Sequence, residues 1–220
     1  MKIAVLGGSF NPVHIGHLAL ADQVCTSLGY DKVLFVPAAA APHKTMACQI
    51  SAETRAHMVG LAIEDDPRFA LELCEIERGG TSYTWDTICH LEEKYKDSLE
   101  GKIGLIIGRD QFATFHLWRN AKELSEKCTL ILGERPIQNE DKDFTNKATG
   151  SYGEYSGSDL EKFNIADEVL FKDAVFLDNE PLAVSSTGIR SRAAGGKAFR
   201  YLVPAKVFKY IIDGNIYGKH

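Results

Sequence analysis

The chain has 220 residues, 45% hydrophobic and 25% charged, which suits one α/β domain with a sizeable core. Its formal net charge of −5 argues against broad binding to a nucleic acid polymer or a membrane surface, yet leaves room for a local basic pocket around one phosphorylated ligand. No apolar stretch approaches the roughly 20 residues of a membrane span. The N-terminus runs straight into a strand pattern rather than a signal peptide, so the expected location is cytoplasmic. Cys25, Cys48, Cys74, Cys89 and Cys128 are scattered, odd in number and without a CxxC pair. Neither a disulfide framework nor a zinc site is expected, and reduced core positions suit them.

Lys2-Ile3-Ala4-Val5-Leu6 reads as the first strand and runs into Gly7-Gly8-Ser9-Phe10-Asn11-Pro12-Val13-His14-Ile15-Gly16-His17. Gly7 and Gly8 are expected to let the backbone turn sharply and approach a ligand. A helix is expected over residues 16–28, closed by Gly29. Lys32 to Val36 is the second strand, stopped by Pro37, and a loop carries Pro42-His43-Lys44. Ser51 is the expected N-cap, with Glu53 in the first turn, of a helix reaching Glu64. Phe69 to Leu73 alternates as a third strand, and Gly79 to Tyr83 is a turn. Thr84 opens a helix with Trp85, Ile88, Leu91 and Tyr95 on one stripe. Ile103 to Ile107 is the near-continuous apolar run of a buried parallel strand, followed by Gly108-Arg109-Asp110. A helical stretch with Phe112, Phe115, Trp118 and Leu124 leads to a fifth strand over 128–132.

From Arg135 to Phe163 the periodicity fails. Val169-Leu170-Phe171 and Val175-Phe176-Leu177 are expected as short strands. Val184-Ser185-Ser186-Thr187-Gly188-Ile189-Arg190-Ser191-Arg192 is a hydroxyl-rich helix start, and residues 203–212 form a last helix with Pro204 in its first turn. Strands alternating with helices imply right-handed βαβ units and a mostly parallel sheet.

Residues 7–17 lack the GxGxxG of a dinucleotide fingerprint and the Gly-Lys-Ser/Thr of a Walker A loop. What they have is HxGH at a strand-to-helix junction. Such a junction lies at the carboxyl end of a strand, where ligands bind in open α/β sheets, and the helix start favours an anion. Once the helix has begun, His14 and His17 share one face. Two imidazoles at an anion-favouring helix start point to chemistry on a phosphate.

Residues 7–17 resemble the signature of the nucleotidyltransferase superfamily that carries the (H/T)xGH motif. Ser185 to Arg190 resembles its second signature, ISSTxIR, with Val184 in place of the usual isoleucine. Val36-Pro37 with Pro42-His43-Lys44, Ser82-Tyr83-Thr84 with Asp86-Thr87, and Ile106 to Asp110 with Phe115 and Trp118 narrow the resemblance to the bacterial nicotinate-nucleotide adenylyltransferases. It covers most of 1–135 and 180–215; Arg109 departs from it, since the family commonly has a small or neutral residue there. The resemblance implies a Rossmann-like, doubly wound, mostly parallel sheet with helices on both faces. It also implies a single nucleotidyltransferase domain over 1–220 with a small helical C-terminal part from about 185.

The implied reaction is adenylyl transfer: a mononucleotide phosphate attacks the α-phosphorus of ATP, and pyrophosphate leaves. The attacking oxygen is already anionic, so neither a general base nor a protein nucleophile is required, and catalysis rests on alignment and charge neutralisation. The resemblance makes His14, His17 and Arg190 catalytic, as donors to phosphate oxygens. It assigns ATP to Gly7, Gly8, Ser9, Phe10, His14, His17, Gly108, Asp110, Ser185, Ser186, Thr187 and Arg190. It assigns the acceptor, nicotinate mononucleotide, to Lys44, Ser82, Tyr83, Thr84, Trp118 and Arg135. Mg²⁺ is expected on the phosphates of ATP and on water rather than in a carboxylate cage.

Plainer readings stand beside several of these. Lys44 and Arg135 also read as solvated surface cations, and His43 as a residue that shapes its loop. Ser82 to Thr84 and Asp110 also read as helix caps, and Trp118 as part of a core stripe. Arg192 suits a phosphate or a carboxylate equally. The rival activities are the same chemistry on nicotinamide mononucleotide, phosphopantetheine or another phosphorylated acceptor, a cytidylyl transfer, and a nucleotide-sensing protein without turnover. A homo-oligomer is compatible with the sequence.

Overall fold

Alternation along the apolar strands sorts their side chains into two layers. In β1 (Ile3–Gly8), Ala4 and Leu6 enter one core while Ile3 and Val5 enter the other. β2 (Lys32–Pro37) does the same, with Val33 and Phe35 opposed to Leu34 and Val36. β4 (Gly104–Gly108) and β5 (Thr129–Gly133) divide likewise, Ile106 and Ile131 against Leu105, Ile107, Leu130 and Leu132. Strands buried on both faces need helices on both faces, as expected of a parallel sheet. The computed structural model describes residues 1–40, 50–112, 114–133, 169–180 and 182–218.

One layer is covered by α1 (Ile15–Leu28), through Ala21, Val24 and Cys25, and by α2 (Ala52–Ile63), through Met58, Val59 and Ile63. The opposite layer takes Ile88 and Leu91 of α4 (Thr84–Tyr95), which follows the short α3 (Cys74–Arg78). It also takes Phe112 of α5 (Arg109–Phe112) and Leu124 of α6 (Ala121–Lys127). Ile189 of α7 (Ser186–Ala194) and Val207 and Ile211 of α8 (Ala205–Asp213) join the first layer.

With β3 (Phe69–Leu71) and β6 (Val175–Leu177), the described strands form one six-stranded parallel sheet of order β3-β2-β1-β4-β5-β6. The fold is the expected Rossmann-like doubly wound one. Its order reverses between β1 and β4, which opens a crevice at the carboxyl ends of those two strands. Gly8 ends β1 there, and Gly108 ends β4.

Three local expectations are corrected. Residues 109–124 are not one helix: α5 is followed by a 3-10 turn over Phe115–Leu117, Trp118 is extended, and Asn120 has φ 56° before α6. Val169–Phe171 is a 3-10 turn rather than a strand, because Phe171 turns inward onto Phe115, ring centroids 5.3 Å apart. β3 ends at Leu71: Glu72 still donates its N–H to the Phe35 carbonyl at 2.9 Å, but Leu73 turns the chain (φ −100°, ψ 5°) and Cys74 begins α3. The four described cysteines are free thiols, and burial pushes Cys74 up to about 11 and Cys128 up to about 12.

Candidate active site

The first motif is built by burial and capping rather than by flexible glycines. Gly7 and Gly8 continue β1 without positive φ, so the expected turn at the glycines is corrected: the chain turns at Phe10, φ 46°, and at the cis Asn11–Pro12 bond. A Cβ on Gly7 would meet nothing within 4 Å, whereas one on Gly8 would lie 3.2 Å from the Phe10 ring. That ring is buried, 5.8 Å from Phe35 and edge-on to His17 at 5.0 Å. Phe10 therefore offers a ligand its backbone, not its ring.

His14 is the N-cap of α1, and its backbone N–H donates to His17 Nδ1 at 3.2 Å. This bond is half of a capping box, with histidine in the place usually taken by Glu or Gln. It has a chemical consequence. Nδ1 is the acceptor, so in neutral His17 the proton sits on Nε2, which is the donor. The two imidazoles stack at 3.7 Å and 26°, with His14 buried. Gly16 sits between them and the second motif. A Cβ there would lie 2.9 Å from Val184 Cγ1 and 3.2 Å from the His14 ring.

The second motif is tied directly to the first. Ser185 Oγ caps α7 by accepting from the Gly188 N–H at 3.1 Å. Ser186 Oγ donates to the Pro12 carbonyl at 2.8 Å. Arg190 donates from Nη1 to the Asn11 carbonyl at 2.7 Å and from Nη2 to Thr187 Oγ1 at 3.1 Å. The Tyr217 hydroxyl donates to Asn11 Oδ1 at 2.7 Å. Residues some 170–200 positions apart thus hold one loop at the mouth of the crevice.

The third group gathers at the start of α4. Tyr83 is its N-cap and makes no side-chain capping bond, which leaves backbone N–H groups of the first turn for a ligand. Ser82 Oγ does not cap this helix; it accepts from the Ala39 N–H at 3.0 Å, and the Ser82 N–H donates to the Ala40 carbonyl at 3.0 Å. The plainer reading of Ser82 as a cap is thereby replaced. Arg119 pairs with Asp86 at 3.0 Å and lies 5.1 Å over the Tyr83 ring. Trp118 is half-buried, 5.2 Å from Phe115, so the core claims only part of its indole. His43, Lys44 and Arg135 lie outside the described residues, as does the side chain of Asp110.

Arg55 was not among the expected site residues. It is fully buried on α2 and donates to the carbonyls of Ser9 at 2.7 Å, Ala38 at 2.6 Å and Ala39 at 3.1 Å. Burial lowers its pKa, partly offset by Glu53 and Tyr217. A signal did exist: Arg55 falls on the same helical stripe as Met58, Val59 and Ile63, an apolar position occupied by a charge. Elsewhere, Glu72, Cys74 and His90 bring ligand-type atoms within 4.8 Å of one another. Glu72 is already paired with Lys94 at 2.7 Å and Cys74 holds its proton, so this cluster is not set to receive a cation.

Residues 5–192 match the model of the cytidylyltransferase-like family. A Treponema pallidum protein named "probable nicotinate-nucleotide adenylyltransferase" is 39% identical over 217 residues, covering 99% of each chain. A Geobacter sulfurreducens protein of the same name is 36% identical over 217 residues, 99% of this chain and 98% of that one. Among solved structures, the Plasmodium falciparum nicotinic acid mononucleotide adenylyltransferase complexed with NaAD has a similar fold, with TM-score 0.67 over 98% of this chain and 97% of that one, at 16% identity.

Proposed function

Since the chain belongs to the cytidylyltransferase-like family, we propose that it is an adenylyltransferase joining nicotinate mononucleotide and ATP into nicotinate adenine dinucleotide and pyrophosphate, in NAD biosynthesis. The observation that carries this reading is the meeting of the two motifs at the β1/β4 crevice, through Ser186 to Pro12 and Arg190 to Asn11. In the reaction an acceptor phosphate oxygen forms a bond to the α-phosphorus of ATP. The bond from that phosphorus to the bridging oxygen breaks, and pyrophosphate leaves with the electron pair. No protein atom needs to accept a proton, so the site works by alignment and by stabilising charge.

His17 donates from Nε2 toward the α-phosphate, and the start of α1 adds its partial positive charge. His14, buried beneath the stacked ring, fixes the orientation of His17. Arg190 holds the β and γ phosphates with its planar fork, giving up its carbonyl partner as ATP arrives. The Gly7–Gly8 edge and the Ser9 and Phe10 backbone line the ATP path with Gly108, Asp110 and the α7 start, Ser185 to Thr187. ATP enters as its complex with a divalent metal. We take this to be Mg²⁺, held by phosphates and water. On the acceptor side, the free N–H groups at Tyr83 and Thr84 receive the nicotinate carboxylate, and Ser82 holds that turn in place. Trp118 offers its uncovered indole to the pyridine ring, with Lys44 and Arg135 on phosphates. The enzyme works in the cytoplasm; among the described residues no helix is long and apolar enough to cross a membrane.

Pyrophosphate release from ATP with either mononucleotide tests the assignment. The acid is expected to be preferred over the amide by at least ~10-fold in kcat/KM, the scale of one charge-assisted hydrogen-bond set. A preference for the amide would overturn the choice of acceptor. Absence of pyrophosphate release with every acceptor would favour a nucleotide sensor. Trp118→Ala is expected to raise KM for the acceptor by ~10-fold through lost stacking while KM for ATP holds. An unchanged acceptor KM would return Trp118 to the core.

A further inference from the structure

We propose that Arg55 is a positioning residue that sets the distance between the ATP loop and the acceptor loop, an inference that rests on the adenylyl-transfer reading above. Its guanidinium lies between the two loops and touches both. Nη1 holds the Ser9 carbonyl, at the end of the strand that leads into HxGH. Nη2 holds the Ala38 and Ala39 carbonyls, just past β2. The relay continues from there: the Ala39 N–H donates to Ser82 Oγ, the Ser82 N–H donates to the Ala40 carbonyl, and Ala40 bridges to Thr81. Tyr83 and the open start of α4 come next. One side chain therefore spans the gap from Ser9 to the nicotinate-facing turn.

The chemistry of the residue supports this role over that of a filler. Arg55 is 0% exposed, and among the described residues no carboxylate pairs with it. A buried guanidinium without a counter-ion is expensive, and an apolar side chain would fill the same space at less cost. What an apolar residue lacks is a rigid planar fork able to bond carbonyls on two segments at once. Lysine lacks the fork as well, though it keeps the charge. The reaction needs the acceptor oxygen in line with the α-phosphorus, and a displacement of ~1 Å costs ~100-fold in rate. A strut joining the two half-sites acts directly on that separation. Its positive charge, close beneath two phosphate-binding segments, also favours the anions they receive.

The experiment compares the full-length wild type with Arg55→Lys, Arg55→Met and Met58→Ala. Folding is followed by circular dichroism and thermal melting, and kinetics by pyrophosphate release. If the wild type releases no pyrophosphate, the adenylyl-transfer reading falls and takes this inference with it. If it does, Arg55→Lys is expected to fold, lower kcat by ~10- to 100-fold and raise KM for both substrates by ~5-fold or more, because charge without the fork cannot hold both loops. Arg55→Met, where folded, is expected to be at least as impaired. Met58→Ala, three residues along the same buried face, removes core volume and is expected to lower Tm with both KM values and kcat near wild type. Wild-type kinetics in Arg55→Lys, or a change confined to one substrate, would overturn the strut. A Met58→Ala variant with the same kinetic losses would do so too, since general loosening would then explain them.

Discussion

Replacement of His17 by alanine is expected to lower kcat by ~10²- to 10³-fold, the cost of removing one preorganised donor from a developing oxyanion. KM for ATP is expected to move by less than ~3-fold, because the contact strengthens only as charge builds on the α-phosphate. The structure supplies the reason for this asymmetry. The His14 N–H occupies His17 Nδ1 at 3.2 Å, so in the neutral imidazole Nε2 is the donor nitrogen. The same bond caps α1, and its loss costs about 1 kcal/mol of stability. Melting curves must therefore accompany the kinetics. His17→Asn keeps an N–H donor and is expected to recover part of kcat. Steady-state assays with varied ATP would show the split. A parallel loss in kcat and ATP affinity would make His17 a ground-state contact instead.

Gly16→Ala separates two opposed effects by sign. Helix propensity alone predicts a gain of about 1 kcal/mol for alanine over glycine. The packing predicts a loss of about 1–3 kcal/mol, since the new methyl would lie 2.9 Å from Val184 Cγ1 and 3.2 Å from the His14 ring. Neither neighbour yields freely: Val184 is buried and adjoins the Ser185 cap, and His14 is buried under His17. The clash is expected to prevail, lowering Tm and reducing kcat by ~100-fold as the histidines and the α7 start shift apart. Adding Val184→Ala removes the closest atom and is expected to restore part of both. Thermal melting and pyrophosphate release on the single and double variants measure this. A Gly16→Ala protein more stable than wild type and fully active would show that the two motifs have slack between them.

These two positions also show how the motif works as a unit. HxGH is commonly read as two histidines with a spacer. Here the spacer is the contact point with the other end of the chain, and each histidine serves the other. The hydroxyls of the second motif divide in the same manner, Ser185 to a cap and Ser186 to the Pro12 carbonyl. Arg190 adds a third tie, bonded to the Asn11 carbonyl and to Thr187 Oγ1.

Local periodicity was enough to place all six described strands, with one too many at Val169–Phe171, and the principal helices, because the alternation that marks Ile3 to Leu6 or Val33 to Val36 is the same alternation that fills the two layers. The strand-to-helix position of HxGH was legible for the same reason, and so were the caps at Ser51 and Gly29. The break of the helix at Trp118 was not, since an aromatic stripe over Phe112, Phe115 and Trp118 satisfies helical spacing even where Asn120 takes a left-handed φ. Nor was the turn at Phe10, because glycine is the conventional sign of a turn and two glycines stand beside it. Tertiary structure alone decided that Ser82 serves Ala39, that a methyl on Gly16 would meet Val184 and His14, and that Arg55 joins two loops. Each of these depends on what lies opposite in space. Hydrogen bonds and close packing between segments leave no period in the chain; they exist only once the sheet has brought the segments together.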